Sequence, residues 1–168
     1  MDVLSTDRLL LRPFVLEDAA FIVQLLNEPS FIQYIADKGV RTPEQAEDYL
    51  KGGPLQSYAV NGHGLYAVTL KDSLEPIGMC GLIRRDPAQD LDLGYAFLPA
   101  FWSRGYALES CQAMLTFGRK RLGLERTLAR VSPDNAASIA LLRKLGFVPC
   151  PPPRGLAEEA DTVYYLRG

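Results

Sequence analysis

The sequence predicts a mixed α/β domain with four main helices, and three observations support this. The 168 residues carry 48% hydrophobic and 23% charged side chains, ordinary globular usage that argues against intrinsic disorder. Segments of helical period and segments of two-residue alternation follow one another as strand, helices, strands, helix, strand, helix, strands. Turn residues punctuate them, at Arg12-Pro13, Gly52-Gly53-Pro54, Asp86-Pro87, Pro99, Gly123 and Gly146. A chain of this size buries about 68–70% of its unfolded surface in one core. One domain over residues 1–168 is therefore expected.

Leu9-Leu10-Leu11 reads as the first strand. Ala19, Ile22, Val23 and Leu26 follow helical spacing, and Pro29 is expected to stop that helix. Thr42-Pro43-Glu44-Gln45 starts a second helix: Thr42 caps, Pro43 suits the first helical position and Gln45 reaches back three residues. Gly52-Gly53-Pro54 is expected to end it. Leu65–Leu70 and Pro76–Ile83 read as strands, and the glycines of the second suggest a bulge or a close backbone approach. Leu91–Leu98 is the next strand, with Leu91, Leu93, Tyr95 and Phe97 on one face and Asp92, Gly94 and Ala96 on the other. Ala107, Cys111, Ala113, Met114, Leu115, Gly118 and Leu122 give a helix face of small and apolar residues, with Arg119, Lys120 and Arg121 in the last turn and Gly123 as the stop. Thr127–Val131 is a short strand. Pro133-Asp134-Asn135 opens a helix that runs to Lys144 and ends at Gly146. Val148 and Val163–Leu166 supply the last strands, with Pro149–Asp161 as a surface loop between them.

Composition excludes several function classes. Lys and Arg number 18 against 20 Asp and Glu, a formal charge of −2 that lacks the basic field of a nucleic-acid binder. No apolar run approaches the ~20 residues that span a bilayer. Residues 1–20 carry Asp2, Asp7, Glu17 and Asp18 rather than the basic start and apolar run of a signal peptide. The three cysteines, Cys80, Cys111 and Cys150, are odd in number and have no metal-ligand spacing. No membrane partner, no nucleic acid, no metal and a reducing, cytoplasmic location are the expectations. His63 is the only histidine, in the loop-like Asn61-Gly62-His63-Gly64, and no G-x-S-x-G elbow accompanies it. It reads as a loop histidine rather than a catalytic one.

The first functional signal is Phe101-Trp102-Ser103-Arg104-Gly105-Tyr106-Ala107, between a strand and a long helix. Gly105 permits a tight turn, and the first helix amides then point outward without partners. Those N–H groups and the helix dipole make an anion site, to which Arg104 adds a cation suited to phosphate. The bland alternative is an ordinary helix start with Trp102 as packing. Neither a P-loop nor a dinucleotide G-x-G-x-x-G is present.

Four motifs in order carry a resemblance to a known family. They are Thr6-Asp7-Arg8-Leu9-Leu10-Leu11-Arg12-Pro13 with Glu17-Asp18-Ala19; Asp92-Leu93-Gly94-Tyr95; the Phe101–Ala107 turn with Glu109; and Asn135-x-x-Ser138 with Lys144-Leu145-Gly146-Phe147. Together they resemble the GNAT superfamily of acyl-CoA-dependent N-acyltransferases, nearest to the ribosomal-protein alanine N-acetyltransferases of the RimJ/RimL type. The resemblance implies a mostly antiparallel central sheet flanked by about four helices, with acetyl-CoA as co-substrate. Amides from Ser103, Arg104, Gly105, Tyr106 and Ala107 are implied to hold the CoA pyrophosphate. Trp102 stands where the superfamily has Gln or Arg. The pantetheine arm is implied to pair with backbone at Phe97 and Leu98, to contact Asn135, and to bring the sulfur near Ser138. The Phe97 N–H is the implied oxyanion donor.

Two positions bear on catalysis. Many superfamily members carry a Tyr five residues before the Phe of the Gly-Phe pair, to protonate the leaving thiolate; here that position is Leu142. Ser138 becomes the acid candidate, against the alternative of a helix-surface serine bonded to its own backbone. Asp92 matches a family carboxylate and is the candidate base, against an edge-strand solubilising charge. A peptide α-amine with pKa near ~7.8 is roughly one-seventh neutral at pH 7. A lysine amine near ~10.4 is neutral in about one part in 2,500, an extra cost of about 3.5 kcal/mol. A carboxylate acting through water suits the first better.

The expected activity is acetyl transfer from acetyl-CoA to a primary amine, on a peptide or a small molecule, by direct attack. Rivals are an acetyl-cysteine route through an exposed Cys80 or Cys111, a non-catalytic CoA-binding regulatory module, and a phosphate-binding protein unrelated to CoA. Acceptor specificity is expected in the first two helices and the Pro149–Asp161 loop, whose Glu158, Glu159 and Asp161 read as a solvated acidic stretch. Monomer and homodimer are equally compatible with the sequence.

Overall fold

The computed structural model describes residues 2–87, 89–153 and 162–168. Its alternating apolar segments assemble into one sheet of eight strands, in the order β1-β2-β3-β4-β5-β6-β8-β7. The strands are β1 (Leu4–Ser5), β2 (Leu9–Pro13), β3 (Leu65–Leu70), β4 (Pro76–Ile83), β5 (Asp92–Phe97), β6 (Thr127–Val131), β7 (Val148–Cys150) and β8 (Val163–Arg167). Neighbours run antiparallel except for β5 and β6, which are parallel and share one ladder pair, Asp92 with Leu128. The Leu128 N–H donates to the Leu91 carbonyl at 2.9 Å. Beyond that point no ladder pair joins the two strands among the described residues, so a wedge opens toward their C-terminal ends.

Among the described residues six α-helices accompany the sheet where the sequence predicts four: α1 (Ala19–Leu26), α2 (Pro29–Tyr34), α3 (Pro43–Gly52), α4 (Pro54–Asn61), α5 (Tyr106–Leu122) and α6 (Ala136–Lys144). The two additional ones, α2 and α4, begin at the prolines expected only to end their predecessors. Pro29 and Pro54 occupy the first helical position, where a missing N–H costs nothing and the fixed φ is already helical. The α3 capping box forms as expected, with the Gln45 N–H donating to Thr42 Oγ1 at 3.2 Å. Gly123 closes α5 in the left-handed region, at φ 66°.

Alternation along the strands divides the core between the two sheet faces. Leu93, Phe97, Tyr66 and Cys80 pack on one face with Cys111, Met114 and Phe117 of α5 and Leu142 of α6. Ala67, Met79 and Leu98 pack on the other with Ile22 and Leu25 of α1 and Ala46 and Leu50 of α3. The β4 glycines mark close approaches: a Cβ on Gly81 would lie 2.1 Å from the Gly64 carbonyl oxygen, and one on Gly78 would lie 2.4 Å from the Phe97 ring. The irregularity of register falls on the partner strand, between Val68 and Thr69. Pro149 and Cys150, expected in a loop, pair with β8; Glu158, Glu159 and Asp161 lie outside the described residues. Among the described residues no helix is long and apolar enough to cross a membrane.

Candidate active site

The connection from β5 to α5 is built to present amides. After a short 3-10 turn at Pro99–Phe101, Ser103 and Gly105 take positive φ values of 61° and 83°. The chain reverses there and enters α5 at Tyr106. The Glu109 N–H makes an intrahelical bond to the Gly105 carbonyl at 3.0 Å, so the amides before it are left for another partner. Ser103, Arg104 and Gly105 are exposed.

A side-chain network braces this turn from below. Glu109 accepts from Thr6 Oγ1 at 2.5 Å, from the Arg8 N–H at 3.0 Å and from Arg8 Nε at 2.8 Å. Arg8 also donates to the Arg104 carbonyl at 2.9 Å, and its guanidinium stacks 4.3 Å from the Tyr106 ring centre. Burial pushes the Glu109 carboxyl up, but the hydrogen bonds from Thr6 and Arg8 outweigh it and hold the group below its ordinary value. The sequence contains Thr6, Arg8 and Glu109 within its motifs, yet their meeting across a hundred residues is a product of the fold.

At the open wedge, β5 turns part of its backbone toward β6. The Leu98 N–H donates to the Ile77 carbonyl at 2.9 Å, so antiparallel alternation points the Phe97 N–H and carbonyl to the opposite edge. That carbonyl accepts from Trp102 Nε1 at 2.9 Å. Across the gap, Asn135 caps α6 by accepting from the Ser138 N–H at 3.1 Å. Ser138 Oγ is bonded to the Tyr95 hydroxyl, a partner that the sequence does not reveal, and not to its own helix backbone. Burial raises the Tyr95 phenol well above its ordinary range and keeps it protonated, against a smaller opposite pull from Ser138. Leu142, one turn further along α6, is fully buried.

Asp92 does not fit the alternative of a solvated edge-strand charge. It is not on an edge strand, because β5 lies inside the sheet between β4 and β6. It is buried at the closed end of the wedge, and its Oδ2 accepts from Arg85 Nε at 2.6 Å and Arg130 Nε at 2.8 Å. The space above Gly94, on the same strand face as Asp92, is filled by Ile83 and Leu65: a Cβ there would lie 2.7 Å from Ile83 Cδ1. Cys80 and Cys111 are fully buried with their sulfurs 3.8 Å apart, and burial drives the Cys111 thiol up, so neither meets the exposure that an acetyl-cysteine route requires. His63 is buried, bonded through Nδ1 to the Leu82 carbonyl at 2.8 Å, near the closed end where Leu82 faces Leu93. Among the described residues no group of three His, Cys, Asp or Glu side chains is arranged to hold a metal.

Comparison with known proteins decides what this wedge belongs to. Residues 8–148 match the family model described as an acetyltransferase (GNAT) domain. The chain belongs to the GNAT acetyltransferases. A curated relative, the N-acetyltransferase p20 of Bacillus licheniformis, is 31% identical over 149 residues, covering 88% of this chain and 83% of that one. YnaD of Bacillus subtilis is 28% identical over 146 residues, covering 85% and 81%. An acetyltransferase from Agrobacterium tumefaciens shares the fold with TM-score 0.84 at 23% identity, over 100% of this chain and 95% of that chain. The RimL ribosomal L7/L12 α-N-protein acetyltransferase in complex with coenzyme A shares it with TM-score 0.83 at 19% identity, over 99% and 97%. As a GNAT acetyltransferase the protein uses acetyl-CoA and transfers its acetyl group to an amine.

Proposed function

We propose that the chain is one acyl-CoA N-acyltransferase domain over residues 1–168, acetylating an α-amine or another amine of lowered pKa by direct attack. The setting of Asp92 carries the preference for such an acceptor. With Oδ2 committed to two guanidinium groups, this carboxylate serves as an anchor, and water takes the amine proton. That arrangement suffices for an α-amine, roughly one-seventh neutral at pH 7, and is poor for a lysine side chain.

The remaining roles follow the wedge. Amides of Ser103 to Ala107, with Arg104, hold the CoA pyrophosphate at the N-terminus of α5. The pantetheine lies along Phe97 and Leu98 and beside Asn135, and the Phe97 N–H receives the developing oxyanion. Amine and thioester are held together, so proximity supplies much of the rate. The C–N bond forms, the C–S bond breaks, and the sulfur keeps the electron pair and gains a proton through Ser138. Three free cysteines suit a cytoplasmic location.

The test is an acceptor screen with acetyl-CoA, following free thiol, over peptides with free N-termini, small α-amines, polyamines and lysine-only peptides. Faster acetylation of α-amines is expected. A preference for lysine side chains or polyamines at pH 7 would overturn the reading.

A further inference from the structure

Past the single ladder pair, no further main-chain pair joins β5 and β6 among the described residues, but a side-chain bond reaches across the gap. Tyr95 leaves β5 on the face packed by α5 and α6, and its hydroxyl meets Ser138 Oγ in the first turn of α6. Because α6 follows β6 after a four-residue connection, this bond links one wall of the wedge to the other.

The direction of the bond follows from the surroundings. Tyr95 packs against the buried core cluster, and Ser138 is the hydrogen-bond partner found for its hydroxyl among the described residues. Tyr95 is half-buried there, and its phenol is the more acidic of the two hydroxyls, so we read the phenol as the donor and Ser138 Oγ as the acceptor. Ser138 then has its own proton free, while its N–H is fixed by Asn135. A hydroxyl that accepts from a phenol is also the stronger donor.

We propose that Tyr95 is a positioning residue for thioester cleavage: its hydroxyl donates to Ser138 Oγ and so directs the Ser138 O–H toward the leaving sulfur. The inference rests on the reading of Ser138 as the acid. As the C–S bond breaks, the sulfur keeps the electron pair and takes the Ser138 proton. Negative charge passing to Oγ is met by the Tyr95 hydrogen bond until solvent returns a proton. Tyr95 keeps its own proton throughout.

Single-turnover thiol release from acetyl-CoA tests this, on the full chain as wild type, Tyr95→Phe, Ser138→Ala and the double variant. Melting temperature and the CoA Kd are measured on each. Tyr95→Phe keeps the ring and is expected to slow release about ten-fold, with the acetyl-CoA KM and CoA Kd within about two-fold of wild type. Ser138→Ala is expected to lose at least as much, and the double variant no more than Ser138→Ala, as groups acting in series do. An unchanged rate in Tyr95→Phe beside a slow Ser138→Ala overturns the role of Tyr95 alone. So does a double variant whose loss is the product of the two single losses, or weakened CoA binding with an unchanged rate at saturation. An unchanged rate in Ser138→Ala overturns the underlying acid assignment. If no amine in the panel turns over, thiol release by acetyl-CoA hydrolysis is compared under the same criteria.

Discussion

Arg8 is placed by partners far away in the sequence. Its guanidinium bonds Glu109 on one side and the Arg104 carbonyl on the other, directly under the turn that presents the amides. Arg8→Ala is expected to raise the CoA Kd about three- to ten-fold, a small effect because the pair is partly exposed. Arg8→Lys should not rescue it, since a single ammonium cannot serve both partners in one geometry. Calorimetric titration with CoA reads both. His63 is placed for stability instead. Burial holds its pKa below the ordinary 6.5, partly opposed by the Leu82 carbonyl. Between 6.5 and that lower value the unfolded chain binds the proton and the folded chain does not, so stability is complete above 6.5 and falls as pH drops through this window. The melting temperature should therefore decline from pH 7 to pH 5, and His63→Asn should flatten that decline. Glu109 acts lower: its stabilisation is present above its ordinary 4.5 and is lost as pH falls through its depressed value. At this scale the sequence shows which residues matter more clearly than what they touch. Ser138 and Glu109 stand out in their motifs, but their partners Tyr95 and Arg8 come from other elements.

Among the elements, the parallel β5–β6 pair determines the site. One main-chain ladder pair closes the wedge, and beside it Asp92 on β5 accepts from Arg130 on β6 as well as from Arg85. This triad ties the two strands together beside the ladder pair they share. Asp92→Asn removes the anion and leaves two guanidinium groups without it. The expected loss is about 1–3 kcal/mol, below the ~3–5 kcal/mol of a fully buried pair because Arg85 is half exposed. Thermal unfolding should show this, while the pH dependence of kcat/KM keeps its shape; disappearance of its acid limb would instead restore Asp92 as the base. Element existence and type were largely legible, because alternation and helical period reflect burial directly. The boundaries at Pro29 and Pro54 were not. A proline ends one helix and begins the next with equal ease, and only tertiary packing decides whether a short helix follows. The burial of Asp92 was illegible for a related reason: a carboxylate in a strand pattern does not reveal which strands flank it.

At the scale of the whole molecule, the described residues form a sheet with a core on each face and a seam between β5 and β6 where the ladder stops. That seam separates Leu4–Phe97, with β5 at its edge, from β6, β7, β8 and α6, and α5 runs between the two parts. A ligand filling the wedge bridges both parts, while the unfolded chain offers it nothing comparable. The near-neutral charge of −2 means that attraction to a polyanionic cofactor must be local, from Arg104 and the α5 amides. Binding should then appear as stabilisation of the entire fold. At one hundred times its Kd, CoA contributes about 2.7 kcal/mol, which for a chain of this length raises Tm by roughly 5–11 °C. Acetyl-CoA should do the same, and inorganic pyrophosphate much less, because it meets only the turn and leaves the seam open. A shift with pyrophosphate equal to that with CoA would show that the wedge takes no part in binding, and would confine the site to the N-terminus of α5.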